Sequence, residues 1–299
     1  MSRPQFLPKG SCIGLCSPAG PSNRDEYRAG LKALDKIGYQ TVTAPMALKT
    51  RTLTAGSDAQ RLEDLMVLSC RDDLAAIMAI RGGYGSIRLL NLLGEKFYSS
   101  LRPLIGFSDI TALHLARLAK SGQGGWHAPN LTTLGKYTDQ ELGVFFDLIS
   151  GEKRQRSWSF KPGWCLRDGR GSGPIIGGNL SLICSLLETG WLPSFDGAIL
   201  MLEEVSEFNY RFDRMLTTLR LSGRLNGLAG LVFGHLHKCG HILTLNPILK
   251  DFVSYLPEGV PAVRAAPFGH WHPNDPWWQG ENAELIVKDR NASLTFLDR

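Results

Sequence analysis

Apolar and polar positions in the first half of the chain follow a repeating order of short apolar runs and amphipathic stretches. Residues 12–16 form an apolar run that predicts a buried strand, and apolar side chains then recur at helical spacing from Tyr27 to Ile37. Further strands are predicted at residues 40–44, 74–80 and 104–107, and further helices at 58–70, 86–93 and 110–120. This alternation predicts an α/β domain with a parallel sheet, whose ligands gather at the carboxyl ends of the strands.

The order changes beyond about residue 136, where strands come to dominate. The stretch 151–173 is polar and interrupted by Gly, Pro and Trp, which is typical of a linker or crossover. Later strands are predicted at 198–203, 229–233, 261–265, 283–287 and 293–297, with helices at 180–187, 211–221 and 247–255. The sequence therefore predicts an α/β domain over residues 1–145, a linker over 146–172 and a strand-rich domain over 173–299.

Composition narrows the classes of protein to consider. The 299 residues are 43% hydrophobic and 20% charged, as in ordinary globular proteins, and the formal net charge is +5. No run of Lys or Arg forms a nucleic-acid-binding stripe, and no apolar stretch approaches the ~20 residues of a membrane span. The amino terminus lacks the apolar block of a signal peptide. Cys12 and Cys16 lie ~13 Å apart in a predicted strand, beyond disulfide reach, and the other four cysteines are scattered, so a cytoplasmic protein with reduced thiols is expected.

Two turns that follow predicted strands carry candidate chemistry. The first, Arg81-Gly82-Gly83-Tyr84-Gly85, offers bare backbone N–H groups to an anion. The second, Gly106-Phe107-Ser108-Asp109, places a serine hydroxyl at the carboxyl end of a strand, facing the next helix. Together they predict a hydrolase with a serine nucleophile and an oxyanion hole. Two other interpretations stay open: Ser108 as a helix N-cap, and the first turn as a phosphate-binding loop that lacks a Walker lysine.

A serine nucleophile needs a base, and the base needs a carboxylate. His270 follows a predicted strand on a loop from which it could reach a neighbouring site, whereas His114 lies inside a predicted helix. Glu203 and Glu204 end an apolar run, where a carboxylate is costly to bury unless it is partnered. Side chains alternate along a strand, so these two carboxylates are expected on opposite faces.

A competing interpretation is a metal site in the segment that follows the strand ending at Phe233. On an extended chain His235 and His237 share a face, and Cys239 or His241 could complete a set of zinc ligands. The alternative is a polar loop, since no helical His-Glu-x-x-His motif accompanies the segment.

Several motifs in the same order along the chain resemble one known family, the LD-carboxypeptidases of peptidase family S66. This family includes the cytoplasmic muramoyltetrapeptide carboxypeptidases and the microcin C self-immunity proteins. The motifs, which span nearly the whole chain, are Ser17-Pro18-Ala19-Gly20, Arg81-Gly82-Gly83-Tyr84-Gly85, Gly106-Phe107-Ser108-Asp109, Gly177-Gly178-Asn179-Leu180-Ser181, Leu202-Glu203-Glu204-Val205, Tyr210-Arg211-Phe212-Asp213-Arg214-Met215-Leu216 and Phe268-Gly269-His270.

The resemblance implies roles for individual residues. It makes Ser108 the nucleophile, Glu203 the triad carboxylate and His270 the base. The backbone N–H groups of Asp109, Gly82 and Gly83 would form the oxyanion hole. It also implies an amino-terminal α/β domain, a carboxyl-terminal domain with barrel-like strands, an active site at their junction, and a homodimer.

The function implied is a cytoplasmic serine peptidase that releases a C-terminal D-amino acid, D-alanine above all, from murein tetrapeptides in cell-wall recycling. No metal or organic cofactor, nucleic acid or membrane is expected to take part. One alternative is a microcin-C-type amidase acting on acyl-sulfamoyl adenylates, with Trp164 stacked on the nucleoside. Another is a non-catalytic protein that binds a small ligand on an α/β scaffold. The segment Trp271–Trp278 departs from the Leu-Pro-x-Gly turn of relatives.

Overall fold

The structure is a computed structural model that describes residues 3–153 and 156–297. These residues divide into two compact units. The amino-terminal unit comprises residues 3–153 together with 275–278, and the carboxyl-terminal unit comprises residues 156–274 and 279–297.

Strands and helices are numbered in chain order over the described residues. The strands are β1 (Cys12–Cys16), β2 (Gln40–Thr43), β3 (Ala76–Ala79), β4 (Leu104–Gly106), β5 (Trp126–His127), β6 (Ser157–Phe160), β7 (Cys165–Arg167), β8 (Gly169–Asn179), β9 (Ile199–Val205), β10 (Gly230–His237), β11 (Ala262–Val263), β12 (Trp277–Trp278), β13 (Asn282–Lys288) and β14 (Asn291–Phe296). The α-helices are α1 (Arg24–Lys36), α2 (Asp58–Ser69), α3 (Glu95–Tyr98), α4 (Thr111–Ser121), α5 (Leu131–Leu134), α6 (Asp139–Ser150), α7 (Leu180–Leu186), α8 (Asn209–Leu221) and α9 (Ile242–Ser254).

The amino-terminal unit is built on a parallel sheet, which confirms the predicted fold class. The strand order is β12-β5-β4-β3-β1-β2, and β1 to β5 run parallel to one another. Strands β3 and β4 consist wholly of buried residues, as expected for the centre of a sheet covered on both faces. Helix α2 begins with a capping box in which Ser57 and Gln60 satisfy each other's backbone N–H groups.

The sheet of the amino-terminal unit ends in a strand from the far end of the sequence. Strand β12 pairs antiparallel with β5, so Trp277 lies opposite His127 and Trp278 opposite Trp126. The imidazole of His127 stacks on the Trp277 indole at 4.7 Å between ring centroids. The four residues 275–278 therefore belong to the amino-terminal unit although some 120 residues of the other unit precede them.

The carboxyl-terminal unit is strand-rich, again as predicted, and its sheet has the order β6-β14-β13-β8-β9-β10-β11-β7 within the described residues. Strands β8 to β11 are parallel, whereas β6, β14, β13 and β7 join antiparallel. Strand β9 lies between β8 and β10 and is buried from Ile199 to Glu204. A carboxylate near the end of strand β9 is therefore buried between the neighbouring strands of the sheet.

The segment predicted as a linker, 146–172, holds the end of α6, strands β6 and β7, and the first residues of β8. Strand β8 is rich in glycine because its backbone passes close to neighbouring chain segments. A Cβ at Gly171 would lie 1.7 Å from the carbonyl oxygen of Ala229, and one at Gly177 would lie 1.9 Å from that of Met201. Glycine here marks close packing rather than a flexible connection.

Two helix predictions were wrong in detail. The segment 86–93 forms only a 3₁₀ turn, Ser86–Leu89, whose first residue is bound to Asp109 through both its N–H group and its hydroxyl, and short pieces of 3₁₀ helix are common as connectors. Helix α9 begins at Ile242, five residues before the predicted start, with His241 as its N-cap and Pro247 inside it. No helix among the described residues is both long enough and apolar enough to cross a membrane.

Candidate active site

Ser108 occupies a strained turn directly after strand β4. Its φ angle is +64°, in the left-handed region that residues with a Cβ rarely adopt, and it opens the 3₁₀ turn Ser108–Ile110 that leads into α4. Such a conformation costs of the order of 1–3 kcal/mol, and in other proteins it clusters at active sites. A sharp strand–turn–helix of this kind lifts a serine hydroxyl above the edge of the sheet.

Gly82 lies against Ser108 and has no room for a side chain. A Cβ built on Gly82 would lie 2.9 Å from the Cβ of Ser108 and 3.2 Å from its Oγ. The neighbouring Gly83 has a φ of +104°, and the carbonyl oxygen of Gly82 accepts a hydrogen bond from the N–H of Gly20 at 2.9 Å. The structure thus brings the predicted oxyanion loop and the predicted nucleophile side by side.

Asp109 ties this loop to the serine turn through its own side chain. The carboxylate Oδ2 accepts the N–H of Ser86 at 2.7 Å, and the Ser86 hydroxyl donates to the Asp109 carbonyl oxygen at 2.5 Å. Burial raises the pKa of Asp109, against the opposing effect of these hydrogen bonds. The sequence predicts a role only for the backbone N–H of Asp109, and the hydrogen bonds of its carboxylate appear only in the structure.

Arg61, which the sequence did not suggest, holds the turn 81–85, called here the glycine loop, through hydrogen bonds. Its guanidinium is fully buried and donates to the carbonyl oxygen of Gly85 at 2.8 Å and to that of Pro18. The same group pairs with Asp58. Burying a guanidinium is costly unless its charge is paired and hydrogen-bonded, so the bonds to Gly85 and Pro18 hold two backbone carbonyls in fixed positions.

Glu203 and His270 form a close ion-pair contact in the carboxyl-terminal unit. The Nδ1 of His270 lies 2.6 Å from Oε2 of Glu203, whose side chain is fully buried. Burial alone would lower the pKa of His270, but the charge and hydrogen bond of Glu203 outweigh it, so the pKa is raised. An imidazole held at Nδ1 presents Nε2 as the atom that accepts a proton.

Gly269 makes this contact possible. Its φ is +110°, and a Cβ there would lie 2.9 Å from the Cβ of Glu203 and 3.0 Å from Oε2. Its N–H donates to Oδ1 of the buried Asn274 at 2.9 Å. The Gly-His pair is therefore a conformational unit, in which the glycine lets the loop approach the carboxylate and Asn274 fixes it.

Glu204 has entirely different partners, as the alternation of a strand requires. Its carboxylate accepts hydrogen bonds from Nδ2 of Asn179 at 3.0 Å, from the N–H of Ser181 at 2.8 Å and from the N–H of Val205 at 2.9 Å. Burial raises the pKa of Glu204 to about 7 despite these donors.

The residues of the competing metal interpretation are engaged elsewhere. The Nε2 of His235 lies 3.0 Å from the carbonyl oxygen of Pro273, and His237 stacks on Trp271 at 4.6 Å. His241 caps helix α9, and the thiol of Cys239 is 3.6 Å from the carbonyl oxygen of His237. Over residues 3–153 and 156–297, no three His, Cys, Asp or Glu side chains are grouped to hold a metal ion.

The predicted site residues fall into two groups. Gly82, Gly83, Ser108 and Asp109 belong to the amino-terminal unit, whereas Glu203 and His270 belong to the carboxyl-terminal unit. Trp164, the predicted nucleoside platform, lies half-buried in a 3₁₀ turn of the carboxyl-terminal unit, with Nζ of Lys161 at 5.3 Å from its ring centroid.

Comparison with known proteins finds a family model that matches each half of the chain. Residues 13–128 match the model of the LD-carboxypeptidase N-terminal domain, and residues 172–285 match that of the LD-carboxypeptidase C-terminal domain. The murein tetrapeptide carboxypeptidase of Pseudomonas aeruginosa is 31% identical over 287 residues, which cover 91% of this chain and 92% of that protein.

Solved structures agree with this assignment. The muramoyltetrapeptide carboxypeptidase from Oxalobacter formigenes superposes with a TM-score of 0.84 at 27% identity, covering 96% of this chain and 99% of that one. MccF in complex with glutamyl sulfamoyl guanosine has a TM-score of 0.86 at 21% identity and covers 100% and 99% of the two chains, which shows a shared fold. The chain belongs to the LD-carboxypeptidase family.

Proposed function

We propose that the protein is a serine peptidase that hydrolyses the amide bond before a C-terminal D-amino acid, D-alanine in a murein tetrapeptide. Family membership supplies the reaction class, and the name of the Pseudomonas aeruginosa relative supplies the substrate. The observation that carries the proposal is the buried Glu203 carboxylate held 2.6 Å from Nδ1 of His270. A buried, charge-stabilised imidazole of this kind is the general base that a serine nucleophile requires.

In the first half of the proposed reaction, His270 accepts the proton of the Ser108 hydroxyl at Nε2 while Oγ attacks the scissile carbonyl carbon. The resulting oxyanion is stabilised by the backbone N–H groups of Asp109, Gly82 and Gly83. The imidazolium, stabilised by Glu203, then protonates the leaving amine, and the C–N bond breaks to release the D-amino acid.

In the second half, water replaces the leaving group. His270 removes a proton from the water molecule, the hydroxide adds to the acyl carbon, and the Ser108 ester bond breaks as the proton returns to Oγ. No step requires a metal or an organic cofactor. We further propose that the enzyme acts on free murein peptides in the cytoplasm as a homodimer, the assembly implied by the family resemblance.

A substrate panel followed by mass spectrometry tests the proposal. We expect the wild type to release D-alanine from a murein tetrapeptide and Ser108→Ala to lose at least about 10³-fold of that turnover, because the nucleophile is gone. Ser57→Ala, which removes the cap of α2, is the matched control: it costs ~1 kcal/mol of stability and leaves turnover intact.

The same panel contains the outcomes that contradict the proposal. Cleavage of an acyl-sulfamoyl adenylate without cleavage of the tetrapeptide would favour the microcin-C-type amidase, the alternative that the family resemblance leaves open. No hydrolysis of either substrate would favour a ligand-binding protein. Near-normal activity of Ser108→Ala would rule out the serine mechanism. A solution mass of one chain would rule out the homodimer.

A further inference from the structure

Asn130 occupies the N-cap position of helix α5 but does not cap the helix with its side chain. Its backbone is extended, with φ −71° and ψ 164°, as at an ordinary N-cap, yet no side-chain capping hydrogen bond forms. Instead Oδ1 accepts the N–H of Phe107 at 3.3 Å, one residue before Ser108. Asparagine at an N-cap usually satisfies a helix N–H, so its side chain has been turned toward the serine turn for another reason.

The strand before the serine turn makes room for this orientation. A Cβ at Gly106 would lie 2.8 Å from Oδ1 of Asn130, so a side chain at position 106 would push the amide away. With Oδ1 assigned as the acceptor for Phe107, the amide nitrogen must point in the other direction.

The amide nitrogen points at the nucleophile and the glycine loop. Nδ2 lies 3.4 Å from the point that a Cβ on Gly82 would occupy, and Oγ of Ser108 lies 3.2 Å from that same point. The space over Gly82 is therefore bordered by the serine hydroxyl on one side and by an N–H donor of Asn130 on the other. Gly82 keeps it open.

The amide nitrogen of Asn130 has no acceptor among the described residues. Asn130 is only 3% exposed, and among residues 3–153 and 156–297 no atom accepts a hydrogen bond from its Nδ2. Over residues 3–153 and 156–297, the polar side-chain atoms that are both fully enclosed and unpaired do not include this nitrogen, so it keeps access to the space beside the serine. An unpaired donor that faces this space is available to an acceptor that forms there during the reaction.

We propose that Asn130 is a further catalytic residue, whose Nδ2–H donates to the oxyanion formed when Ser108 attacks the scissile carbonyl. This inference rests on the proposed role of Ser108 as nucleophile. A donor aimed at the developing charge acts in the transition state and not on the bound substrate, so it raises kcat more than it lowers KM. The Asn130 amide would supplement the backbone donors of the glycine loop.

The variant Asn130→Asp separates this catalytic role from a structural one. An aspartate keeps an oxygen for the N–H of Phe107 and keeps the shape of the side chain, but it loses the N–H donor. We expect kcat for D-alanine release to fall by about 10²-fold or more with KM little changed, since removing one oxyanion donor costs about 10²–10³. Asn23→Ala, which removes the side-chain cap of α1, is the matched control and should leave kcat unchanged.

Asn130→Ala guards against an effect of the introduced charge and should lose a similar factor in kcat while the thermal unfolding transition shows a folded protein. Asn130→Asp with a kcat within about threefold of wild type would overturn the inference, because it would show that only the Phe107 bond matters. Ser108→Ala is measured in parallel. If Ser108→Ala is inactive and Asn130→Asp is active, the inference alone fails. If Ser108→Ala is active, the inference and the proposed function both fail.

Discussion

The amino-terminal unit arranges its candidate groups with the backbone, whereas the carboxyl-terminal unit arranges them with buried charge. Around Ser108 the decisive features are a positive φ, a glycine with no room for a Cβ, and carbonyls held by Arg61. Around His270 the decisive feature is a fully buried carboxylate at 2.6 Å. The two regions should therefore respond to different substitutions: steric ones in the first and charge-changing ones in the second.

Among the substitutions that compare the two units in this way, the largest effect is expected from a charge change in the carboxyl-terminal unit. Glu203→Gln should lose at least ~10²-fold in turnover, because the imidazole loses both its orientation and the stabilisation of its charged form. Glu204→Gln, the adjacent matched control, should keep most of its activity because its carboxylate faces Asn179 and Ser181. The reverse ranking in steady-state assays would mean that the triad is misassigned.

The same variant should also change the pH profile. His270 must be neutral to accept a proton, so activity falls as pH drops through its pKa, which Glu203 raises. Removing the charge lowers that pKa, and the acidic limb of kcat/KM in Glu203→Gln should move to lower pH. An acidic limb that stays in place would argue that His270 is not the titrating base.

A smaller effect is expected from a steric change in the amino-terminal unit. The Cβ of Gly82→Ala would lie 2.9 Å from the Cβ of Ser108, so the serine or the loop must shift by a fraction of an ångström. Since a displacement of 1 Å can cost about 10²-fold, we expect a loss of roughly 10-fold or more in kcat. Gly143→Ala, in helix α6 with no atom within 4 Å of the new Cβ, should be active and slightly more stable. Equal activity of the two variants would contradict the steric account.

The smallest effect concerns stability and the second carboxylate. Burial raises the pKa of Glu204 from 4.5 to about 7, so between these values the folded protein binds more protons than the unfolded chain. Its contribution to stability therefore falls as pH rises through this window. Between pH 4.5 and 7, the unfolding temperature of Glu204→Gln should drop less than that of the wild type. Glu258→Gln, a change at an exposed surface site, should show the same drop as the wild type. Identical slopes for Glu204→Gln and wild type would refute this.

Much of the fold could be predicted because the spacing of apolar residues and the position of turn residues depend on the secondary structure of the same short segment. The run Cys12–Cys16 is apolar and bounded by turn residues, so strand β1 was predicted at its observed bounds. Strand β12 was missed because its two residues carry no periodicity, and their partner β5 lies about 150 residues earlier. Strand β8 was partly taken for a linker because glycine in close packing and glycine in a loop look alike in sequence.

In the candidate site, too, residues in local motifs could be predicted from the sequence, whereas residues that act through long-range contacts could not. Ser108, Glu203 and His270 stand in motifs whose order along the chain could be read directly. Asn130, Arg61 and Asn274 could not be found in this way, since each acts through long-range contacts with backbone groups. The position of Asn130 before a four-residue helix suggested at most a cap, which its side chain does not provide.

We propose above all that Ser108 is the nucleophile, that His270 is its base and that Glu203 is the carboxylate partner of His270. Labelling with a serine-reactive fluorophosphonate, followed by peptide mapping by mass spectrometry, tests it most directly. The account predicts a single adduct on Ser108 in the wild type, much slower labelling of Glu203→Gln, and none of His270→Asn over the same time. Labelling of His270→Asn at the wild-type rate, or an adduct on another residue, would contradict it.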